Sequence, residues 1–446
     1  MGRIECPSHF SRDMKDSRYN IFFEYNHKII GFNTLYNTCL TLTPEVYGLL
    51  KEKFFLNLSM AALCSEKINK LLSDNKFIID ENIDEISIIN DILKQSNADN
   101  SLLYIIINPT LNCNFNCWYC YETHVRKSKI SATTIQSISK YIKNEFDTNN
   151  ELKTIRIDWF GGEPLIYKDI IYTFLSELQE MTRDSNINIV SNFTTNGYLI
   201  TDKFLDFCQE HHVKRFQITL DGNRMSHNEV KFLKGNHNTY DQILQNIKLC
   251  LKKGFEVSVR YNISQKTEII YQEIISDFSD LKKNEVQNLR FSIHAVWQDS
   301  DKQEVLTKVD EIVSKLREHN YKCVTPDSCP NTIFDPCYAD KKNQFIVNYD
   351  AHVFKCTARN FSTFPNEGIL LENGTIQWLR KEQDTESISN STKCLSCSIF
   401  PICNRGCYQK RKEVGAEYCF YGTNAQKMEH AKRIIIEKLY WNHLNI

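Results

Sequence analysis

The sequence predicts an α/β fold built around a partial (β/α)6 TIM-like barrel between residues 99 and 300. Three observations predict it. Six apolar, β-type segments recur between residues 100 and 298, helical segments separate them, and polar or glycine-containing turns follow several strands. Regular alternation of strands and helices is typical of a parallel sheet with helices outside it. The chemistry of such a sheet is expected at the C-terminal ends of its strands.

The strands and helices of this region can be read in order. The predicted strands are LLYIIINPT, TIRIDWF, INIVSNFTT, RFQITLD, EVSVRYNIS and LRFSIHAV. The predicted helices include TTIQSISKYIKNEF, IIYTFLSELQEMTRD and TYDQILQNIKLCLKKG, whose apolar residues recur at helical spacing.

Residues 1–98 predict a small winged-helix-like α+β domain. The runs YNIFFEY, HKIIGFN and TCLTLT are rich in β-forming residues, and KFIID resembles a closing strand. Two helices are expected from TPEVYGLLKEKFF and SEKINKLLSDN, the first with Thr43 as cap and Pro44 in its first turn. The acidic, polar stretch ENIDEISIINDILKQSNADNS is expected to be a linker.

Residues 301–423 are loop-rich and hold nine of the 17 cysteines, and residues 424–446 predict a closing amphipathic helix. A segment that cannot build a large core often depends on metal ligands. We therefore expect residues 301–423 to be a loop-rich Fe–S cluster domain.

Composition limits the classes of partner. The 446 residues carry a net charge of -1, which predicts neither nucleic acid nor membrane as a partner by bulk electrostatics. No apolar run reaches transmembrane length, and the N-terminus lacks an apolar signal segment. We expect a cytoplasmic protein, where clustered cysteines more often bind metal than form disulfides.

Three cysteines follow the first predicted strand with the spacing C-x3-C-x2-C: Cys113, Cys117 and Cys120, with Tyr119 before the last. Structural zinc requires four protein ligands, so three local thiolates suit it poorly. Three thiolates can instead hold three irons of a [4Fe–4S] cluster and leave the fourth open. The motif resembles that of the radical S-adenosylmethionine (SAM) superfamily, in which SAM binds the open iron and yields a 5′-deoxyadenosyl radical.

The resemblance implies a set of SAM-binding residues at the strand ends. Gly161, Gly162 and Glu163 match the motif that receives the SAM amino group, and Glu163 can accept from an ammonium. The other implied cofactor contacts are Tyr119, Thr195, Asn196, Thr219, Arg260 and Asn262. Asp221 is the candidate substrate-facing catalytic group.

Lys231 is a departure from related enzymes, which often have an arginine at this place for the SAM carboxylate. Lysine keeps the charge but lacks the bidentate fork of arginine. The carboxylate contact is therefore expected from Arg260 or to be weaker.

The C-terminal cysteines resemble the SPASM extension of peptide-modifying superfamily members, which binds two auxiliary [4Fe–4S] clusters. The resemblance implies one cluster on Cys329, Cys337, Cys356 and Cys407 and another on Cys394, Cys397, Cys403 and Cys419. Cys323 is then spare or a substitute for Cys329. Zinc is the alternative for this C-x2-C-containing pattern.

Together these resemblances imply a radical SAM/SPASM maturase with three [4Fe–4S] clusters, acting on a ribosomally made precursor peptide to form a thioether, a carbon–carbon crosslink or an epimerised residue. Residues 1–98 resemble the element that binds the leader part of such peptides by strand addition. An electron donor such as flavodoxin or ferredoxin is expected, and the auxiliary clusters would take up an electron or bind a substrate thiolate.

Two alternatives stay open. The first is an anaerobic sulfatase-maturating enzyme, although such enzymes usually have an aspartate where Thr357 follows Cys356 here. The second is a non-catalytic, zinc-containing peptide-binding protein.

Overall fold

The computed structural model describes residues 14–54, 66–233, 235–267, 271–299, 302–328, 332–379, 392–415 and 419–444. The chain divides into two compact units. The first unit comprises residues 1–98, 330–337 and 383–446, and the second comprises residues 99–329 and 338–382. None of the helices in the described ranges combines the length and apolar character needed to span a bilayer.

The first unit begins with two small antiparallel sheets. Its strands are β1 (Met14–Asp16), β2 (Asn20–Tyr25), β3 (Lys28–Asn33), β4 (Thr38–Leu42) and β5 (Ile78–Asp80). Its first helices are α1 (Pro44–Phe54), α2 (Glu66–Asp74) and α3 (Glu85–Ala98). Strand β1 pairs with β5, and the other strands form a sheet in the order β2-β3-β4. The predicted strands and the first two predicted helices of this region are therefore present.

The stretch expected to be a linker spans the boundary between the two units along the chain, and most of it forms helix α3. The helix begins where the Asp84 carboxylate accepts a hydrogen bond from the Ile86 backbone N–H, at 3.0 Å. Ile89 is fully buried, and Ile88, Ile92 and Leu93 pack with it into one apolar cluster. Their helical spacing stabilises the segment in spite of its acidic, polar composition.

The second unit contains the predicted parallel sheet. Its strands are β6 (Leu102–Ile107), β7 (Thr154–Trp159), β8 (Asn188–Thr195), β9 (Val213–Leu220), β10 (Glu256–Ile263), β11 (Leu289–Ala295), β12 (Cys323–Val324), β13 (Gln344–Val347), β14 (His352–Phe354), β15 (Gly368–Leu370) and β16 (Ile376–Trp378). Its α-helices are α4 (Ala132–Thr148), α5 (Lys168–Thr182), α6 (Asp202–Glu210), α7 (Arg224–Val230), α8 (Tyr240–Lys252), α9 (Tyr271–Phe278), α10 (Lys283–Asn288) and α11 (Lys302–Glu318).

Strands β6 to β12 are parallel neighbours in chain order, and β13 pairs with β6 on its other side. The full order is β12-β11-β10-β9-β8-β7-β6-β13-β14-β15-β16. The β/α alternation and the parallel sheet are thus confirmed, and the sheet is open, because β6 and β11 do not pair among the described residues. Strands β13 to β16 join this sheet although the sequence assigns them to the cluster domain.

The core of the second unit lies between the sheet and its helices. On β7, Ile155, Ile157 and Trp159 are fully buried, and Trp159 packs edge-on against Phe174 of α5. Full burial of such side chains is worth about 1.5–3 kcal/mol each. Their alternation fixes which face of β7 is covered and therefore fixes the register of the strand ends that carry the site.

The first unit closes with short helices and a long terminal one. These are α12 (Thr392–Leu395), α13 (Phe400–Cys403), α14 (Tyr408–Val414) and α15 (Asn424–Leu444). Ile434 and Ile435 of α15 pack with Ile399 and Ile402 against Phe32 of β3. The closing helix is therefore confirmed.

Candidate active site

A cavity in the second unit opens at the C-terminal edge of the parallel strands. It is lined by twelve of the residues that the sequence singles out. They are Cys113, Cys117, Tyr119, Cys120, Gly161, Gly162, Thr195, Asn196, Thr219, Lys231, Arg260 and Asn262. These residues come from the loop after β6 and from the ends of the strands that follow it, which is where parallel α/β sheets place their ligands.

The three thiols of the loop after β6 are free and face this cavity. The pKa of the Cys117 thiol is raised to about 12, chiefly by burial and also by neighbouring Asp221 and Cys120, while Lys231 opposes the rise. Burial is also the largest cause of the raised pKa of Cys113, to which Glu163, Cys117 and Cys120 contribute. A bound cationic centre would reverse this, because metal ions favour thiolates.

The donor set fits a thiolate-bound cluster better than a single ion. Among the described residues, no group of three histidine, cysteine, aspartate or glutamate side chains is placed to hold one metal ion. A [4Fe–4S] cluster makes a different demand, because each thiolate binds a separate iron. The three thiols on one cavity wall match that demand.

Gly161 and Gly162 let the end of β7 approach the cysteine loop closely. A Cβ atom on Gly161 would lie 2.4 Å from the Thr110 carbonyl oxygen, and one on Gly162 would lie 2.3 Å from that of Asn112. The Gly162 N–H donates to the Thr110 carbonyl at 3.0 Å. Gly161 also has a φ of +100°, which side chains rarely adopt. Glycine is therefore required at both positions.

Glu163 lies beneath the cavity rather than on its wall. The carboxylate is fully buried and accepts hydrogen bonds from the Leu165 N–H at 3.0 Å, the Thr195 hydroxyl at 2.7 Å and the Asn196 N–H at 2.8 Å. Burial raises the pKa of this carboxyl, and the hydrogen bonds oppose the rise. In this structure Glu163 orients Thr195 and Asn196, and its direct contact with SAM stays a prediction.

Asp221 connects the cysteine loop to Lys231. Its carboxylate accepts the Tyr119 hydroxyl at 2.7 and 2.8 Å and pairs with the Lys231 ammonium at 3.1 Å. Lys231 also donates to the Thr219 carbonyl at 2.9 Å. The side chains of Asp221 and Lys231 are almost completely buried. A substrate-facing role for Asp221 stays a prediction, because its carboxylate is not part of the described cavity wall.

Arg260 is the other cation on the cavity wall. Its Nε atom donates to the Asn262 side-chain oxygen at 3.0 Å, and both residues lie on β10 facing the same side. Burial lowers the pKa of Arg260, although the group stays a guanidinium at any pH of interest. Lys231 is paired with a carboxylate and Arg260 with a neutral amide, so Arg260 is the better placed of the two to receive an anion.

Four residues that line the cavity were not predicted from the sequence. Tyr121 and Glu122 directly follow the third motif cysteine, while Trp297 and Gln298 follow β11, and all four line the cavity. The Gln298 side chain donates to the Tyr119 carbonyl at 2.6 Å. The only local signal was the continuation of the cysteine motif into a tyrosine and a glutamate, because Trp297 reaches the site through tertiary packing.

The cysteines predicted for one auxiliary cluster lie in the first unit. The pKa of the Cys403 thiol is raised to about 12, chiefly by burial and also by the thiols of Cys394, Cys397 and Cys419. Each of these three thiols is therefore close enough to Cys403 to act on its charge. The segment also contains Gly406, where a Cβ atom would lie 2.7 Å from the Phe420 Cβ.

The cysteines predicted for the other auxiliary cluster are distributed differently. Cys337 and Cys407 are half-buried in the first unit, and Cys356 is half-buried in the second. Cys329 lies outside the described residues. Cys323 is fully buried in β12, within the apolar core of the second unit.

Residues 107–266 match the family model of the radical SAM superfamily. This range contains the three motif cysteines, the glycine pair and Arg260. Residues 107–266 are therefore a radical SAM domain, and the protein is an enzyme. The superfamily fold implies a [4Fe–4S] cluster and SAM, and the thiols and glycines described above fit them.

More particular likenesses are to a sulfatase-maturating enzyme and to a cyclopropyl synthase. The chain is 21% identical over 356 residues to a cysteine-type anaerobic sulfatase-maturating enzyme of Clostridium novyi, covering 70% of this chain and 89% of that one. It is 21% identical over 324 residues to the radical SAM cyclopropyl synthase TigE of Paramaledivibacter caminithermalis, covering 66% of this chain and 65% of TigE. The structure of native anSMEcpe with bound AdoMet and Cp18Cys peptide has the same fold, with a TM-score of 0.53 at 17% identity, covering 77% of this chain and 98% of that one.

Proposed function

We propose that this protein is a radical SAM maturase that modifies a ribosomally made precursor peptide, forming a thioether, a carbon–carbon crosslink or an epimerised residue. The observation that carries the proposal is the convergence of Cys113, Cys117 and Cys120 with the polar strand ends on one cavity. When bound, the cluster and SAM supply a 5′-deoxyadenosyl radical that abstracts a hydrogen atom from substrate.

The chain's own residues would hold these groups and the substrate in place. Tyr119, anchored to Asp221, fixes the last turn of the cysteine loop beside Cys120. Gly161 and Gly162 let the end of β7 pack closely against the cysteine loop, and Arg260 supplies a cation for the SAM carboxylate. The protein thus contributes orientation and electrostatics, while the hard chemistry belongs to the cofactor.

A peptide substrate is supported by the maturating relatives and by the first unit. Its sheet has the order β2-β3-β4, so β2 and β4 are edge strands within the described residues. An extended leader segment can add to such an edge through main-chain hydrogen bonds. Tethering the leader raises the effective concentration of the core peptide.

Two auxiliary [4Fe–4S] clusters are part of the proposal. The grouping of Cys394, Cys397 and Cys419 around Cys403 supports one of them. When bound, such clusters supply electron acceptors, which a crosslinking reaction needs because it removes two hydrogens from the peptide. We also propose a cytoplasmic location and a flavodoxin or ferredoxin as electron donor, in keeping with reduced, cluster-binding thiols.

The second candidate is a sulfatase-maturating enzyme that forms formylglycine, which the relative from Clostridium novyi favours. The neighbourhood of Cys356 argues against it. Thr357 offers no carboxylate there, and its backbone N–H donates to the Tyr338 hydroxyl at 2.7 Å while its carbonyl accepts from the Tyr121 hydroxyl at 3.2 Å.

The test begins with anaerobic reconstitution of the wild-type chain and of a Cys113/Cys117/Cys120→Ala variant. About twelve irons per chain should fall to about eight, without zinc, if three clusters bind. Reduced wild-type enzyme should cleave SAM and remove two hydrogens from a candidate precursor peptide when it forms a crosslink. Replacement of a thiol by a carbonyl oxygen in a sulfatase-derived peptide would support the second candidate instead. Zinc without iron would refute both.

A further inference from the structure

Glu122 is a carboxylate on the cavity wall for which the cofactor chemistry has no use. It lies two residues beyond Cys120 and lines the same cavity. Its Oε2 atom is buried and has no hydrogen-bond partner among the described residues. A buried acceptor without a partner is costly, commonly by more than a hydrogen bond contributes, and a ligand that donates to it relieves this cost.

The cations that share the cavity wall are directed elsewhere. Lys231 pairs with Asp221 at 3.1 Å, and Arg260 donates to Asn262 at 3.0 Å. The carboxylate of Glu122 takes part in none of the ion pairs found among the described residues. A cationic group of a bound ligand would supply the complementary charge that these residues do not.

An aromatic stack lines the same cavity as Glu122. The rings of Tyr121 and Trp297 are stacked with centroids 5.4 Å apart and planes 23° apart, and Trp297 is 58% exposed. The Tyr121 hydroxyl is held by the Thr357 carbonyl at 3.2 Å, so the stack is fixed in orientation. An exposed indole face attracts cations and covers the aliphatic stem of a long side chain.

We propose that Glu122 and the Tyr121–Trp297 stack form a recognition site for a basic side chain, lysine or arginine, of the substrate peptide. This rests on the proposed function for the peptide itself. The carboxylate of Glu122 receives the ammonium or guanidinium group, and the Trp297 face packs against the methylene stem. The site lies beside the cysteine loop, so the basic residue is bound close to the position that reacts.

The experiment measures binding rather than turnover. Acetylated pentaglycine amides with lysine, norleucine or glutamate at the centre are titrated calorimetrically into anaerobically reconstituted enzyme, with and without SAM. The lysine peptide should bind about tenfold more tightly than the norleucine peptide, as a charge-assisted hydrogen bond predicts, and the glutamate peptide should bind most weakly.

Glu122→Gln should remove the preference for lysine, whereas Glu210→Gln, at the exposed end of α6, should retain it. Trp297→Ala should weaken the binding of the lysine peptide and of the norleucine peptide alike, because both side chains have a methylene stem that packs against the indole. This variant tests the site even if Glu122→Gln folds poorly.

Three results would overturn the inference: equal binding of lysine and norleucine by the wild type, a preference that persists in Glu122→Gln, or an effect of Glu122→Gln on SAM affinity with the peptide preference unchanged. The same reconstituted enzyme is also reduced in the presence of SAM, and formation of 5′-deoxyadenosine then reports separately on the radical chemistry. Its absence would refute the proposed function, while the lysine preference would be judged on binding alone.

Discussion

The ammonium of Lys231 lies 3.1 Å from the carboxylate of Asp221, and the two side chains are only 4% and 5% exposed. Each charge is out of water, so each depends on the other for solvation. The same carboxylate holds Tyr119 of the cysteine loop. A buried ion pair thus links the end of β9 and the segment after α7 to the loop that carries the three thiols.

Asp221→Asn should destabilise the protein by about 3–5 kcal/mol, because it leaves the Lys231 charge buried without its counter-ion. Urea unfolding of the wild type and the variant measures the loss. Asp241→Asn is the matched control, because Asp241 pairs with Arg224 at 2.8 Å on the surface and such pairs contribute about 0–1 kcal/mol. Equal losses in the two variants would contradict a structural role for the buried pair.

The parts of the fold and of the candidate site that could be predicted from the sequence are those with a local sequence pattern. The alternation of Ile155, Ile157 and Trp159 identifies β7, and the spacing of the motif cysteines is visible within eight residues. Helix α3 was missed because its acidic residues masked the apolar spacing around Ile89. The positions of Glu163 and Trp297 relative to the cavity depend on contacts between segments distant in sequence, which periodicity cannot reveal.

Arg260→Gln should weaken SAM binding about 10- to 100-fold, because it removes a charge-assisted contact to the carboxylate. The SAM affinity of Arg260→Lys should lie between those of the wild type and Arg260→Gln, since lysine keeps the charge and loses the bidentate fork. Equilibrium dialysis of SAM against reconstituted enzyme measures the effect. Arg215→Gln is the control, because Arg215 on β9 forms a half-exposed ion pair with Glu256 on β10. Unchanged affinity in Arg260→Gln would assign the carboxylate to another group.

His294 should make stability depend on pH. Burial, reinforced by the neighbouring Arg260 charge, lowers the pKa of His294 from 6.5 to about 3. Between these values the unfolded chain binds a proton at this residue and the folded chain does not. The contribution of His294 to the free energy of unfolding should therefore be greatest above pH 6.5. It should fall as the pH drops towards 3, by up to about 1.4 kcal/mol per pH unit.

The measurement is urea unfolding of wild type and His294→Asn in steps between pH 7.5 and pH 5 (roughly the range in which such a histidine titrates). The variant should lose stability less steeply than the wild type over the acidic part of this range. Parallel curves would mean that His294 is charged in the folded protein, against the lowered pKa.

Cys403 and Cys323 offer a matched test of the auxiliary ligands, because both thiols are well covered but their surroundings differ. The thiols of Cys394, Cys397 and Cys419 act on the charge of Cys403, whereas Cys323 is fully buried in the apolar core at β12. Cys403→Ala should therefore lower the iron content by about four per chain. Cys323→Ala should leave iron unchanged and cost about 1 kcal/mol of stability from lost packing. Iron loss in Cys323→Ala would make Cys323 a ligand in place of Cys329, and unchanged iron in Cys403→Ala would remove the cluster predicted around it.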